Sequence, residues 1–313
     1  MIDIYRIDHV RQAVADEEPV RRLLERLFGF RLVQAWEDAT EGVRGLRYQI
    51  PGTSGAGWEL VTPTRGDSTI SSFLDSARGP GLCRVGLEVT DLQRALAMLR
   101  AEQAHVVDRG PADRWADVEL GPAPDMQGLP CRIFAPGAAD AARRAARIAL
   151  PETPRDERPA IGLDGLLHIC QAHPDRLAVA RWYERATGMR EIYRTPDGAW
   201  PDMATLMLTV PGSQIIWEVI QPEGGDSHVQ RFLDRKGAGF HHATFAVCDW
   251  DAAMAACEQH EIPTFGLNEG VTDGGRWCDN FIHPKHTGGV LMQLFWEEHP
   301  GVWARSDKIA TPR

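Results

Sequence analysis

The chain has 313 residues, 43% hydrophobic and 25% charged, the balance of a soluble globular protein with a full core and room for two domains. Acidic residues outnumber basic ones 44 to 34, and the net charge of −10 excludes a general attraction to nucleic acid or to an anionic membrane. No apolar run approaches the ~20 residues that span a bilayer, and the amino terminus MIDIYRIDHV is too charged for a signal peptide. The six cysteines form no C-x-x-C pair, so reduced thiols and a cytoplasmic protein are expected.

In chain order, Pro19–Phe28 has apolar residues at three- and four-residue intervals and stops at Gly29, which predicts a helix with a glycine cap. VRGLRYQI and Trp58-Glu59 follow as strand material, then GDSTISSFLD. CRVGLEV reads as a strand, Leu92–Leu99 as a helix and WADVEL as another strand. Ala138–Leu150 has helical character, and the proline-rich, charged PETPRDERPA after it marks a linker. The pattern then restarts. LLHICQAH is a strand, Arg176–Ala186 a helix ended by Gly188, and TLMLTV and QIIWEVI are strands. GDSHVQRFLD precedes the strand HHATFAVCD, the helix Trp250–Cys257 and the strand GVLMQLF. The residues from Glu297 on are polar.

The restart is a duplication. The two GDS…FLD segments lie 159 residues apart, and the same offset carries His9 onto His168, Gly29 onto Gly188 and Trp58-Glu59 onto Trp217-Glu218. A fainter period runs inside each copy. Gly165-Leu-Leu-His168 and Gly239-Phe-His-His242 are 74 residues apart, and Arg84 takes the histidine's place in the first copy. The expected fold is therefore α+β, with two tandem domains, each made of two strand–helix–three-strand (βαβββ) modules. We divide the chain into 1–136, a linker 137–163, a second domain 164–297 and a tail 298–313.

His168, Glu218, His242 and Gln293 stand out in the second half. The histidines open the first strand of each module, and the other two residues fall in the last strands, 75 residues apart. A twofold relation between modules would bring all four to one point. Two imidazoles, a carboxylate and an amide oxygen suit one divalent ion: Co, Mn, Ni, Zn or Fe. Glu218 and Gln293 lie in apolar runs, where an unpartnered carboxylate would be costly. Alternation along the strand assigns His241 and His242 to opposite faces, with His242 as the ligand. His283 and His286 fall in a turn.

These residues resemble the vicinal oxygen chelate superfamily, whose paired βαβββ modules form a cupped sheet around a metal. The resemblance covers nearly the whole chain as two such domains. Locally, GFHHATFAVCDWDAAMAACEQHEI and NFIHPKHTGGVLMQLF resemble methylmalonyl-CoA epimerase. The resemblance implies His, Gln, His and Glu as metal positions, which here hold His168, Glu218, His242 and Gln293, so glutamate and glutamine have exchanged places. The epimerase's second base falls near Thr205 or Leu206, neither of which can serve.

The resemblance implies a metal-dependent enzyme acting on a small carbonyl substrate through an enolate, as an isomerase, epimerase or lyase, with Glu218 as both ligand and catalytic group. The alternatives are an Fe(II) extradiol-type ring-cleaving dioxygenase, using His168, His242 and Glu218, and a non-catalytic small-molecule binding protein. The partner is a small molecule, with no nucleic acid or membrane, and a homo-oligomer is compatible. The first half offers His9 and Glu59 but has Arg84 and Arg132 in the other two places. We expect no metal there, and either packing or an anion held by the two arginines.

Overall fold

A computed structural model describes residues 1–109, 114–121, 128–152, 156–272 and 274–299. The first module is β1 (Ile4–Ala13), α1 (Glu18–Arg22, continued by a wider π-helical turn, Leu23–Leu27), β2 (Arg31–Asp38), β3 (Val43–Gln49) and β4 (Gly57–Pro63). Helix α2 (Thr69–Leu74) leads to the second: β5 (Gly81–Val89), α3 (Leu92–Ala101), β6 (His105–Arg109), β7 (Trp115–Leu120) and β8 (Leu129–Phe134). After α4 (Ala138–Ala145) and β9 (Arg147–Ile148) come β10 (Leu163–Ala172), α5 (Arg176–Thr187), β11 (Arg190–Arg194), β12 (Met203–Thr209) and β13 (Ile216–Pro222). Helix α6 (His228–Lys236) leads to β14 (Gly239–Val247), α7 (Trp250–Gln259), β15 (Thr264–Thr272), β16 (Gly275–Ile282) and β17 (Leu291–Glu297).

Each half is one curled mixed sheet, in the orders β6-β7-β8-β5-β1-β4-β3-β2-β9 and β11-β12-β13-β10-β14-β17-β16-β15. The first strands of paired modules meet antiparallel at the centre, β1 on β5 and β10 on β14. The last strand of each module pairs parallel with its own first strand, for example β10 with β13 and β14 with β17. This is the expected tandem fold of paired modules.

The repeated residues do repeated work. Ser68 and Ser227 of the two GDS segments cap α2 and α6 by accepting backbone N–H bonds from Ser71 and from Val229 and Gln230. Trp58 and Trp217 are fully buried, and their indoles donate to Gln12 and Gln171 at 3.0 and 3.2 Å. Burying each ring contributes on the order of 3 kcal/mol from lost water contact. Asp91, Asp175 and Asp249 cap α3, α5 and α7 in the same way.

The halves share one core. Phe245 of the second packs at 5.3, 5.8 and 5.8 Å between ring centroids from Phe28, Phe30 and Trp58 of the first. Gln12 donates to the Thr287 carbonyl at 2.6 Å, and Trp182 to that of Glu102 at 2.9 Å. Close approach of backbones accounts for two left-handed glycines: a Cβ on Gly212 would lie 1.9 Å from the Tyr5 oxygen, and one on Gly289 1.9 Å from that of Pro80.

The stretch read as a linker is partly built into the first sheet. β9 pairs with β2, through Ala35 with Ile148 and Trp36 with Arg147, and α4 carries the buried Arg143. Proline and charge in PETPRDERPA mark the chain's exit, which comes after these elements. The tail 300–313 lies outside the described residues. No described helix is long and apolar enough to cross a membrane, and all six cysteines are free thiols.

Candidate functional site

The sheet register brings His168, Glu218 and His242 together. β10 lies between β13 and β14, with Cys170 opposite both Glu218 and His242, and His168 one pleat away on the same face. His168 Nε2 is 3.3 Å from His242 Nε2 and 3.3 Å from Glu218 Oε2, and His242 Nε2 is 3.2 Å from that oxygen. All three side chains are buried. Glu218 Oε1 accepts the Thr205 hydroxyl at 2.6 Å, whereas Oε2, turned toward the imidazoles, makes no hydrogen bond of good geometry. Burial opposes ionisation of Glu218, but His168 and His242 hold its carboxyl well below the usual carboxylate range. Burial lowers His242, so neutral imidazole is favoured there.

Gln293 joins them from β17, next to Thr244 of β14. The Thr244 hydroxyl donates to Gln293 Oε1 at 2.6 Å and lies 2.7 Å from His168 Nε2. The amide oxygen is thus already engaged, one atom away from the imidazole.

These residues form the floor of a cavity of about 680 Å³. Its walls are mainly apolar and include Trp200, Phe265, Trp277, Phe281 and Phe295. The expectation for His241 fails: it lines the same cavity as His242. β14 bulges against β10, where His242 pairs with Cys170 and Phe240 with Gln171, leaving His241 unmatched. A bulge turns two successive side chains to one side. The two imidazoles meet Nδ1 to Nδ1 at 2.8 Å, which directs His242 Nε2 to Glu218 and His168. His283 and His286, in the turn between β16 and β17, are not among the described lining residues.

Sequence reasoning missed Asp279 on β16. It is buried, lines the cavity and receives the Asn268 amide at 3.4 Å. Burial, reinforced by the charge of Glu218, raises its carboxyl to about 6 against hydrogen bonds from Gln293 and Asn268. Its signal was available: Asp279 lies 74 residues after Thr205, the interval that separates the two histidines.

The donor set fits a divalent ion. Ligand atoms ~2.0–2.2 Å from one ion lie ~3.0–3.5 Å from each other, as these three do. A competing group, Cys170 with His241 and His242, is less suited. Burial and the nearby Glu218 raise the Cys170 thiol well above its ordinary value, so forming the thiolate there is costly.

The corresponding place in the first domain is filled differently. Glu59 Oε2 takes Arg11 at 2.8 Å and Oε1 takes Arg143 of α4 at 2.9 Å, while Arg143 also reaches Asp8 at 2.8 Å. Guanidinium groups thus occupy the carboxylate oxygens that an ion would need. Arg132 pairs with Asp117 through two bonds of 2.7 Å and with Glu41, and Arg84 meets Asp117 at 3.3 Å. Their charges are balanced internally, which removes the reason to assign them an anion.

The family model described as "Glyoxalase/Bleomycin resistance protein/Dioxygenase superfamily" matches residues 8–119 and again 167–278. Methylmalonyl-CoA epimerase, mitochondrial, of Homo sapiens is 30% identical over 42% of this chain and 73% of its own. Ethylmalonyl-CoA/methylmalonyl-CoA epimerase of Cereibacter sphaeroides is 28% identical over 41% of this chain and 95% of its own. A solved mutant of 4-hydroxymandelate synthase from Streptomyces coelicolor superposes with a TM-score of 0.71 over 98% of this chain and 96% of its own; at 13% identity this likeness concerns the fold alone. With two matches to one model and the paired-module architecture in each half, the chain belongs to the glyoxalase/bleomycin resistance protein/dioxygenase superfamily.

Proposed function

We propose that the second domain is a metal-dependent enzyme site that moves a proton next to a carbonyl of a small, oxygen-chelating substrate, as an epimerase, isomerase or lyase. His168, Glu218 and His242 would hold one divalent ion, with Gln293 as a weaker fourth member. The carrying observation is the convergence of three buried donor atoms 3.2–3.3 Å apart at the floor of a cavity. A bound ion would supply Lewis acidity to the substrate's oxygens. The apolar walls hold the substrate body and exclude water. Glu218, kept ionised, is the proton acceptor, and the Thr205 hydroxyl fixes its orientation. His241 holds the His242 ring in place. Among the described lining residues there is no Lys or Arg, so the phosphates of a coenzyme A thioester would lie outside the cavity.

Likeness to the two epimerases supports the proton-transfer reading. The two-histidine, one-carboxylate set favours a second reading, an Fe(II) dioxygenase. Metal analysis of the purified protein separates them when combined with deuterium uptake from D2O into methylmalonyl-CoA, with and without oxygen. Oxygen-independent deuterium uptake supports proton transfer. Bound iron with oxygen consumption on catechols supports the dioxygenase, and neither activity in a metal-loaded protein would favour a binding protein.

A further inference from the structure

Three carboxylates line the cavity. Asp202 is paired with His228 at 2.6 Å, and the other two, Glu218 and Asp279, come from opposite modules of the second domain. On β16, strand alternation sends Trp277, Asp279 and Phe281 to the cavity side, and all three line it. The register shows how the two modules correspond. Met207 of β12 lies opposite Glu218 of β13, and Thr205 is two residues back on β12. Phe281 of β16 lies opposite Gln293 of β17, and Asp279 is two residues back on β16. The relation between modules therefore carries the Thr205–Glu218 pair onto the Asp279–Gln293 pair.

Each pair joins one carboxylate to one neutral oxygen-bearing side chain, but the order is reversed. The carboxylate stands on the module's last strand in one half, as Glu218, and on the preceding strand in the other, as Asp279. Each accepts a hydrogen bond from a polar side chain, the buried Thr205 hydroxyl at 2.6 Å for Glu218 and the amide of Asn268, itself a lining residue, at 3.4 Å for Asp279. A substrate seated over the imidazoles would meet one of these carboxyl groups from each module.

We infer that Asp279 is the second proton-transfer group of this site, facing Glu218 across the floor. The inference rests on the proton-transfer reading. In the step, the C–H bond beside the substrate carbonyl breaks as the Glu218 carboxylate takes the proton, and the electron pair moves into the carbonyl. The protonated Asp279 then gives its proton to the opposite face of the same carbon, and the electron pair returns to form the new C–H bond. Nothing is oxidised or reduced, the carbon is inverted, and water returns both carboxyl groups to their starting protonation.

The test uses the metal-loaded full chain, one enantiomer of methylmalonyl-CoA in D2O, and Mn²⁺ calorimetry on the metal-free protein. Asp279→Asn should bind Mn²⁺ with wild-type stoichiometry, keep deuterium uptake from the Glu218 face and lose inversion by at least ~10²-fold. Asp279→Glu should recover inversion to well above the Asn variant. Wild-type inversion in Asp279→Asn, or loss of its Mn²⁺ site, would overturn the assignment while leaving the proton-transfer reading in place. A metal-loaded wild type that neither exchanges nor inverts would refute that reading, and the role of Asp279 with it.

Discussion

Arg143 offers a test of how the first domain stabilises its buried carboxylates. Its guanidinium, 4% exposed, bridges Asp8 at 2.8 Å and Glu59 at 2.9 Å. Arg143→Ala leaves two buried carboxylates short of a partner. Each bond to a charged group contributes ~1.5–3 kcal/mol, and breaking a buried ion pair costs ~3–5 kcal/mol. Arg47 lies 3.3 and 3.4 Å from the same two carboxylates and takes up part of the loss, so we expect a cost of about 3 kcal/mol. Urea unfolding measures it. Arg144→Ala, the exposed neighbour on α4, should stay within ~0.5 kcal/mol of wild type. If Arg143→Ala unfolds with the Arg144→Ala midpoint, α4 is not a structural part of the first domain and the network argument is wrong.

Further outcomes follow from the same geometry. Burial lowers His9 from 6.5 to about 4, so the unfolded chain binds a proton that the folded chain refuses between those values. Stability should therefore be complete above ~6.5 and fall as pH drops toward ~4, by on the order of 3 kcal/mol, and urea midpoints across that window should flatten in His9→Gln. Glu218→Gln should keep the fold, because an amide oxygen can still accept the Thr205 hydroxyl, but lose ~10²–10⁴-fold in turnover; near-normal kcat in a metal-loaded variant would show that Glu218 is not the base. Gln293→Glu should fold like wild type by thermal unfolding and shift activity or stereochemistry, since it adds a carboxylate beside Asp279 on the other side of the module pair.

The fold was legible because the duplication repeats residues whose roles are local and fixed: serine caps, the Trp58 and Trp217 anchors, and the glycine after a helix. The floor of the cavity was legible for the same reason, since equal spacing in a twofold arrangement brings equal positions together. Three features were not. The bulge that turns His241 inward depends on a register shift between β10 and β14, and no residue type announces it. Arg143 finds Asp8 and Glu59 more than eighty residues away in sequence, so α4 looked like linker. Asp279 corresponds to a threonine in its sister module, so a search for repeated ligand types passes over it.

The central claim is that His168, Glu218 and His242 bind one divalent ion. The most direct test is equilibrium dialysis of the purified chain against Mn²⁺ or Co²⁺, followed by elemental analysis, for wild type, His168→Ala and His9→Ala. One ion per chain in wild type and in His9→Ala, and none in His168→Ala, is the expected result. Stoichiometric metal retained by His168→Ala, or lost from His9→Ala with the fold intact, would place the site elsewhere and contradict the account.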